Sequence, residues 1–127
     1  MRVKRIEISA ALFLTILLFG LASPCWAGRS SATLEVPSSA QKGAEITIRV
    51  NVAHNGNSRF HHTEWVSLKV NGQEVQRWEY GGSNTPESEK FTREVKIVVN
   101  EALEIVAESS CNLHGSAGTD KADVAME

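Results

Sequence analysis

From Glu45 to Val52, polar and apolar residues alternate without a break. Ile46, Ile48, Val50 and Val52 share one side of an extended chain, and Glu45, Thr47, Arg49 and Asn51 share the other. A period of two is the mark of a half-buried β-strand. The same alternation runs through Trp65–Val70 into Asn71-Gly72, a pair suited to a two-residue type I′ hairpin turn because both positions need positive φ. Gln73–Tyr80 is then the returning strand. Phe91–Val99 and Ala102–Ser109 alternate likewise across a short turn at Asn100-Glu101, and shorter strands are expected at Thr33–Val36 and Lys121–Met126. No convincing helical stripe appears in this part of the chain. About seven short strands with turn punctuation predict an all-β fold, an immunoglobulin-like antiparallel β-sandwich. The irregular segments fall at Pro37–Gly43, His54–Phe60, Gly81–Glu89 and Asn112–Asp120.

The first 27 residues read differently. Met1–Arg5 is basic, Ala10–Ala22 is an apolar run shorter than the ~20 residues that span a bilayer, and Pro24 then precedes Cys25-Trp26-Ala27. These are the parts of a secretory signal peptide with cleavage after Ala27. The expected organisation is therefore a signal peptide over 1–27 and one domain over 28–127, exported to the periplasm and free of the membrane after cleavage. Of the 13 basic and 15 acidic residues, Arg2, Lys4, Arg5 and Glu7 fall in the leader, leaving a formal charge of −4 on residues 28–127. With no basic cluster there, a nucleic-acid partner is not expected. Cleavage also removes Cys25, so Cys111 has no intramolecular disulfide partner.

The four histidines lie in two places: His54, His61 and His62 in the middle, and His114 three residues after Cys111. A Cys-x-x-His step lets a thiolate and an imidazole converge on one ion across a tight turn, and Gly115 relaxes the backbone after it. The middle histidines precede strands that a sandwich can carry to the same end. Strand parity places His62 with the core set Val66, Leu68 and Val70, and His61 on the opposite face; a bulge would reverse this. Imidazoles with a thiolate are borderline-soft ligands suited to iron, zinc or copper and unsuited to magnesium or calcium. A closed tetrahedral set would be structural zinc, and an open position would suit redox iron. No motif supports Cys111 and His114 as a nucleophile and base. Trp65 and Trp78 read as packing residues.

The segments His54…Phe60-His61-His62-Thr63-Glu64-Trp65-Val66 and Cys111-Asn112-Leu113-His114-Gly115 resemble the iron centre of superoxide reductases, the desulfoferrodoxin and neelaredoxin family. Ser83-Asn84-Thr85 is similar to an Asn-Thr stretch in the same order. The resemblance covers roughly the whole of residues 28–127. It implies an immunoglobulin-like sandwich carrying one mononuclear non-haem iron, preferred to zinc or copper. His54, His61 and His114 would be equatorial ligands and Cys111 the axial thiolate. The implied activity is one-electron reduction of superoxide to hydrogen peroxide, with an external electron-donor protein as partner.

The sequence also departs from that family. Members carry Glu-Lys-His-Val-Pro on an early strand, where the histidine is a fourth equatorial ligand and the lysine attracts the anion. Here the corresponding residues are Thr33-Leu34-Glu35-Val36-Pro37, with no histidine between Gly28 and Val52. Glu35 falls on the missing ligand's position and is the expected carboxylate substitute, while Leu34 brings no charge. The His54–His61 loop is about one residue longer, Ser116-Ala117 replaces a bulky pair, and no cysteine-rich rubredoxin-like domain precedes the sandwich. The expectation is an exported iron oxidoreductase of reduced activity. Its alternatives are a non-catalytic metal-binding, electron-transfer or carrier module on the same fold, and a zinc-stabilised structural domain.

Overall fold

A computed structural model describes residues 28–127, so the signal peptide expected over 1–27 lies outside the described residues. Eight strands follow in order: β1 (Ser31–Glu35), β2 (Ser39–Ala40), β3 (Glu45–Ala53), β4 (Thr63–Val70), β5 (Gln73–Glu79), β6 (Lys90–Val98), β7 (Leu103–Cys111) and β8 (Thr119–Met126). They form a three-stranded sheet, β1-β3-β6, and a five-stranded sheet, β2-β8-β7-β4-β5. The described residues contain no helix. The all-β sandwich is as expected, with one addition. β2 is two residues long and pairs parallel to β8, with Ser39 opposite Ala125; it is too short for any alternation to announce it. All other strand-to-strand ladders are antiparallel.

The two sheets close on the side chains that the period-two pattern selects. Ile46, Ile48, Val50 and Val52 of β3 are buried, as are Val66 and Leu68 of β4, Ile105 and Ala107 of β7 and Val124 of β8. Complete burial of an aliphatic side chain contributes about 1.5–3 kcal/mol, so this layer is the main source of cohesion. The β4–β5 turn has Asn71 at φ 51° and Gly72 at φ 83°, the pair of left-handed residues that a type I′ hairpin needs. Asn71 also ties the hairpin to its neighbour, donating from Nδ2 to the Ala102 carbonyl at 3.2 Å and accepting from the Glu104 amide at 2.8 Å.

Register decides what meets at the end of the sandwich. Ser31 pairs with Ala53, so the chain just before β1 lies beside His54, the residue after β3. Thr63 pairs with Cys111, so the entry to β4 lies beside the exit of β7. The β4–β7 register shifts between Thr63 and Trp65, a local irregularity that lets the chain at His61-His62 turn away from the regular ladder. β7 extends two residues past the Ser109 limit expected from alternation, because Ser109, Ser110 and Cys111 are all buried and the pattern there no longer distinguishes faces.

Candidate metal centre

Four segments converge at this end: the chain before β1, the β3–β4 loop, the start of β4 and the turn after β7. The last of these is closed tightly. Cys111 and Gly115 exchange backbone hydrogen bonds, Cys111 N to Gly115 O at 2.9 Å and Gly115 N to Cys111 O at 3.0 Å. Gly115 holds φ at 77°, a conformation that glycine adopts without the Cβ penalty. The turn brings His114 Nδ1 to 3.9 Å from Cys111 Sγ. Inside it, the Leu113 amide donates to Cys111 Sγ at 3.4 Å.

The β3–β4 loop supplies the other imidazoles. His54, Cys111 and His61 each offer a ligand atom, and these atoms lie within 4.8 Å of one another. His61 stands between its two neighbours. Its ring centroid is 4.7 Å from that of His54 and 5.0 Å from that of His114, edge-on to both. His61 Nε2 is 3.2 Å from His114 Nδ1. The loop is folded against the back of this ring: a Cβ on Gly56, whose φ is 144°, would lie 2.7 Å from His61 Nδ1.

His62 takes another course. It is buried, and its Nδ1 is 3.0 Å from the Ser58 carbonyl. Its backbone is held by Asn112, whose Oδ1 accepts from His62 N at 3.0 Å and whose own N donates to His62 O at 3.1 Å. Asn112 also donates from Nδ2 to the Phe60 carbonyl at 3.0 Å. The asparagine between the cysteine and the second histidine thus fastens one ligand-bearing turn to the loop that presents the other, which the sequence motif alone did not explain.

Glu35 is not brought to the group. It is exposed on β1, with its carboxylate 3.7 Å from Arg49 Nε, and it pairs with Arg49 in a register where Ser31 meets Ala53. Four residues of extended chain, roughly 13 Å, separate it from the His54 end of the sheet. The expectation that this carboxylate replaces the missing histidine is corrected by strand direction: β1 points its N-terminal end, not Glu35, at the cluster. Leu34 is half-buried against the core, and its amide donates to Asp120 Oδ2 at 2.7 Å.

The residues that do arrive from this side are Gly28 and Ser30. Ser30 is fully buried, with Oγ 2.8 Å from both Thr63 Oγ1 and Ser109 Oγ. Its backbone donates to Gly115 O at 3.2 Å and accepts from Ala117 N at 2.9 Å. The Gly28 carbonyl lies 3.2 Å from His54 Nε2 and 3.1 Å from His114 Nδ1. Sequence reading missed both residues; no periodicity marks a serine or a glycine in the short segment before β1.

The donor set suits a transition metal. His54 is 3 % exposed and Cys111 also 3 %. Burial, the largest influence, pushes the His54 pKa below its ordinary value, against the raising effect of the Gly28 and Gly56 backbone. Its imidazole is therefore held neutral, the form that binds a metal. His54 Nδ1 is buried without a hydrogen-bond partner of good geometry. Three imidazole nitrogens and a sulfur at these spacings are the borderline-soft donors that a transition metal selects.

A β-sandwich that gathers three imidazoles and one cysteine sulfur at a single end offers a ligand set for a metal ion. The chain belongs to the desulfoferrodoxin family, whose model matches residues 29–117. In fold it is similar to the superoxide reductase (neelaredoxin) from Ignicoccus hospitalis, with 19 % identity, 78 % of this chain and 82 % of that one covered, and a TM-score of 0.61. A candidate superoxide reductase from Thermotoga maritima is 23 % identical, covers 76 % of this chain and 86 % of its own, and gives a TM-score of 0.58. The same sandwich occurs in the CARDB domain of a Pyrococcus furiosus protein solved in complex with di-metal ions, at 13 % identity, 84 % and 96 % coverage and a TM-score of 0.62. No curated protein matches the chain.

Proposed function

We propose that this protein is an exported mononuclear non-haem iron oxidoreductase of superoxide reductase type. The observation that carries the reading is the meeting of His54, His61, His114 and Cys111 at one end of a desulfoferrodoxin-family sandwich. His54 and His61 would each hold the metal through one ring nitrogen, His114 through Nδ1 and Cys111 through Sγ. When bound, ferrous iron would supply the one electron.

The chain's own groups prepare that chemistry. Burial keeps His54 unprotonated, the Leu113 N–H donates to Cys111 Sγ and orients the sulfur, and Asn112 fixes the two ligand-bearing loops relative to each other. Superoxide gains one electron and two protons and leaves as hydrogen peroxide; the electron is restored by an external donor protein. Neither Leu34 nor Glu35 offers a cation to attract the anion, so the expected rate is below that of relatives with lysine and histidine at those positions. The basic start and apolar run of residues 1–27 support export.

A second reading, a non-catalytic electron-transfer or carrier module, draws on Phe60 and Leu113. These are 78 % and 62 % exposed and immediately precede His61 and His114, giving the cluster an apolar rim on which a partner could dock. Metal analysis of anaerobically purified protein, followed by superoxide consumption under pulse conditions, separates the two. Stoichiometric iron with consumption supports the reductase, iron without consumption supports the carrier, and stoichiometric zinc removes both redox readings.

A further inference from the structure

The segment before β1 does more than lie beside the cluster, because its backbone points into it. The Gly28 carbonyl oxygen is 3.2 Å from His54 Nε2 and 3.1 Å from His114 Nδ1. Ligands bonded to one transition metal at about 2.0–2.2 Å sit about 3 Å apart when adjacent. The spacing of this oxygen to two of the imidazoles therefore matches that of a neighbouring ligand, as does the 3.2 Å between His61 Nε2 and His114 Nδ1.

We propose that Gly28, as the first residue of the processed chain, completes the metal's ligand set through its own backbone, the α-amino nitrogen and carbonyl oxygen taking the place left by the missing histidine. This rests on the reading of residues 28–127 as an exported metal protein. Cleavage after Ala27 turns the amide nitrogen of Gly28 into an amine. The amine and carbonyl of one residue close a five-membered ring on a metal, so the pair binds as a chelate. A neutral amine also preserves the charge that a neutral imidazole would bring, which a glutamate would not.

Two features hold Gly28 in this role. Ser30 anchors the segment two residues later, its hydroxyl 2.8 Å from Thr63 Oγ1 and 2.8 Å from Ser109 Oγ, so the chain end is fixed from both β4 and β7. The close approach also requires a residue without a side chain. A Cβ at Gly28 would lie 2.8 Å from His114 Nδ1 and 3.1 Å from His114 Cγ, nearer than van der Waals contact allows.

The test uses the full chain, exported under its own leader and purified metal-free, with Co(II) as the spectroscopic probe. Intact mass must show a chain beginning at Gly28; any other N-terminus overturns the proposal. A serine inserted between Ala27 and Gly28 converts the amine to an amide at the same place. Transamination of the α-amine in the folded, processed protein removes it without adding a residue and guards against a folding defect in the insertion variant. The expected result for both is at least about a tenfold loss of Co(II) affinity, the scale of a lost metal-site partner, with a shifted ligand-field spectrum. Unchanged affinity and spectrum, alongside a Cys111-dependent thiolate band, would refute the role of Gly28 and leave the proposed function standing. No thiolate band in any form would overturn both.

Discussion

His61 Nε2 lies 3.2 Å from His114 Nδ1, although 53 residues separate them in the chain. The contact exists because β4 begins where β7 ends. Thr63 is paired with Cys111, and the short turn after the cysteine folds His114 back over the strand junction. The properties of the site therefore depend on residues that fix backbones at this end, several of which have no ligand atom of their own.

Gly56 is one of these. Its φ of 144° and the 2.7 Å approach of a notional Cβ to His61 Nδ1 leave no room for a side chain. Gly56→Ala is expected to displace His61 and lower metal affinity by roughly 10–100-fold, measured by competition against a chelator of known affinity. The fold should persist, because Gly56 lies in the loop between β3 and β4 and is not part of the buried core.

Ser30 buttons the segment before β1 to both β4 and β7. Ser30→Ala leaves the hydroxyls of Thr63 and Ser109 each short of a partner in a buried setting. Denaturant unfolding of the metal-free protein should show a loss of about 1–3 kcal/mol. A variant as stable as the parent would mean that this hydroxyl group does not hold the segment.

Glu35 gives the opposite expectation. Its carboxylate faces Arg49 at 3.7 Å on an exposed strand surface. Glu35→Ala should leave metal affinity and the visible spectrum unchanged and alter stability by less than about 1 kcal/mol, as for most exposed ion pairs. A changed spectrum would restore the carboxylate as a ligand.

The pH dependence of stability has a contribution away from the site. Arg93 donates to both carboxylate oxygens of Glu87, at 2.9 Å and 2.7 Å, and these bonds hold the Glu87 pKa down to about 2 from 4.5. The unfolded chain binds this proton more readily than the folded one, so the pair's contribution is fully present above pH 4.5 and is lost as pH falls toward about 2. Because the pair is solvent-exposed, the amount is below about 1 kcal/mol. Glu87→Gln should flatten the stability profile in that window and leave it parallel to the parent's at neutral pH.

Alternation made the strands legible wherever one face was buried and the other wet, as in β3 with its regular sequence of exposed and buried positions. It gave no warning of β2, which is two residues long, or of the buried end of β7. Histidine and cysteine spacing marked the chemistry, because those side chains are the ones a soft metal selects. The position of Glu35 was misread for a different reason. Order along the chain placed it where relatives carry a histidine, but proximity to the cluster is set by antiparallel register, and Glu35 lies at the far end of β1 from His54. Ser30, Asn112 and Gly28 act through hydroxyl, amide and backbone groups that occur everywhere in proteins, so only their placement identifies them.

The central claim is that Cys111 and the three imidazoles hold one iron. It is tested most directly by the visible spectrum of anaerobically purified protein after oxidation, for the parent and for Cys111→Ala. The account predicts a thiolate-to-iron charge-transfer band in the parent, with about one iron per chain, and loss of that band in the variant. A parent that carries iron but shows no such band, or a band that survives Cys111→Ala, would contradict it.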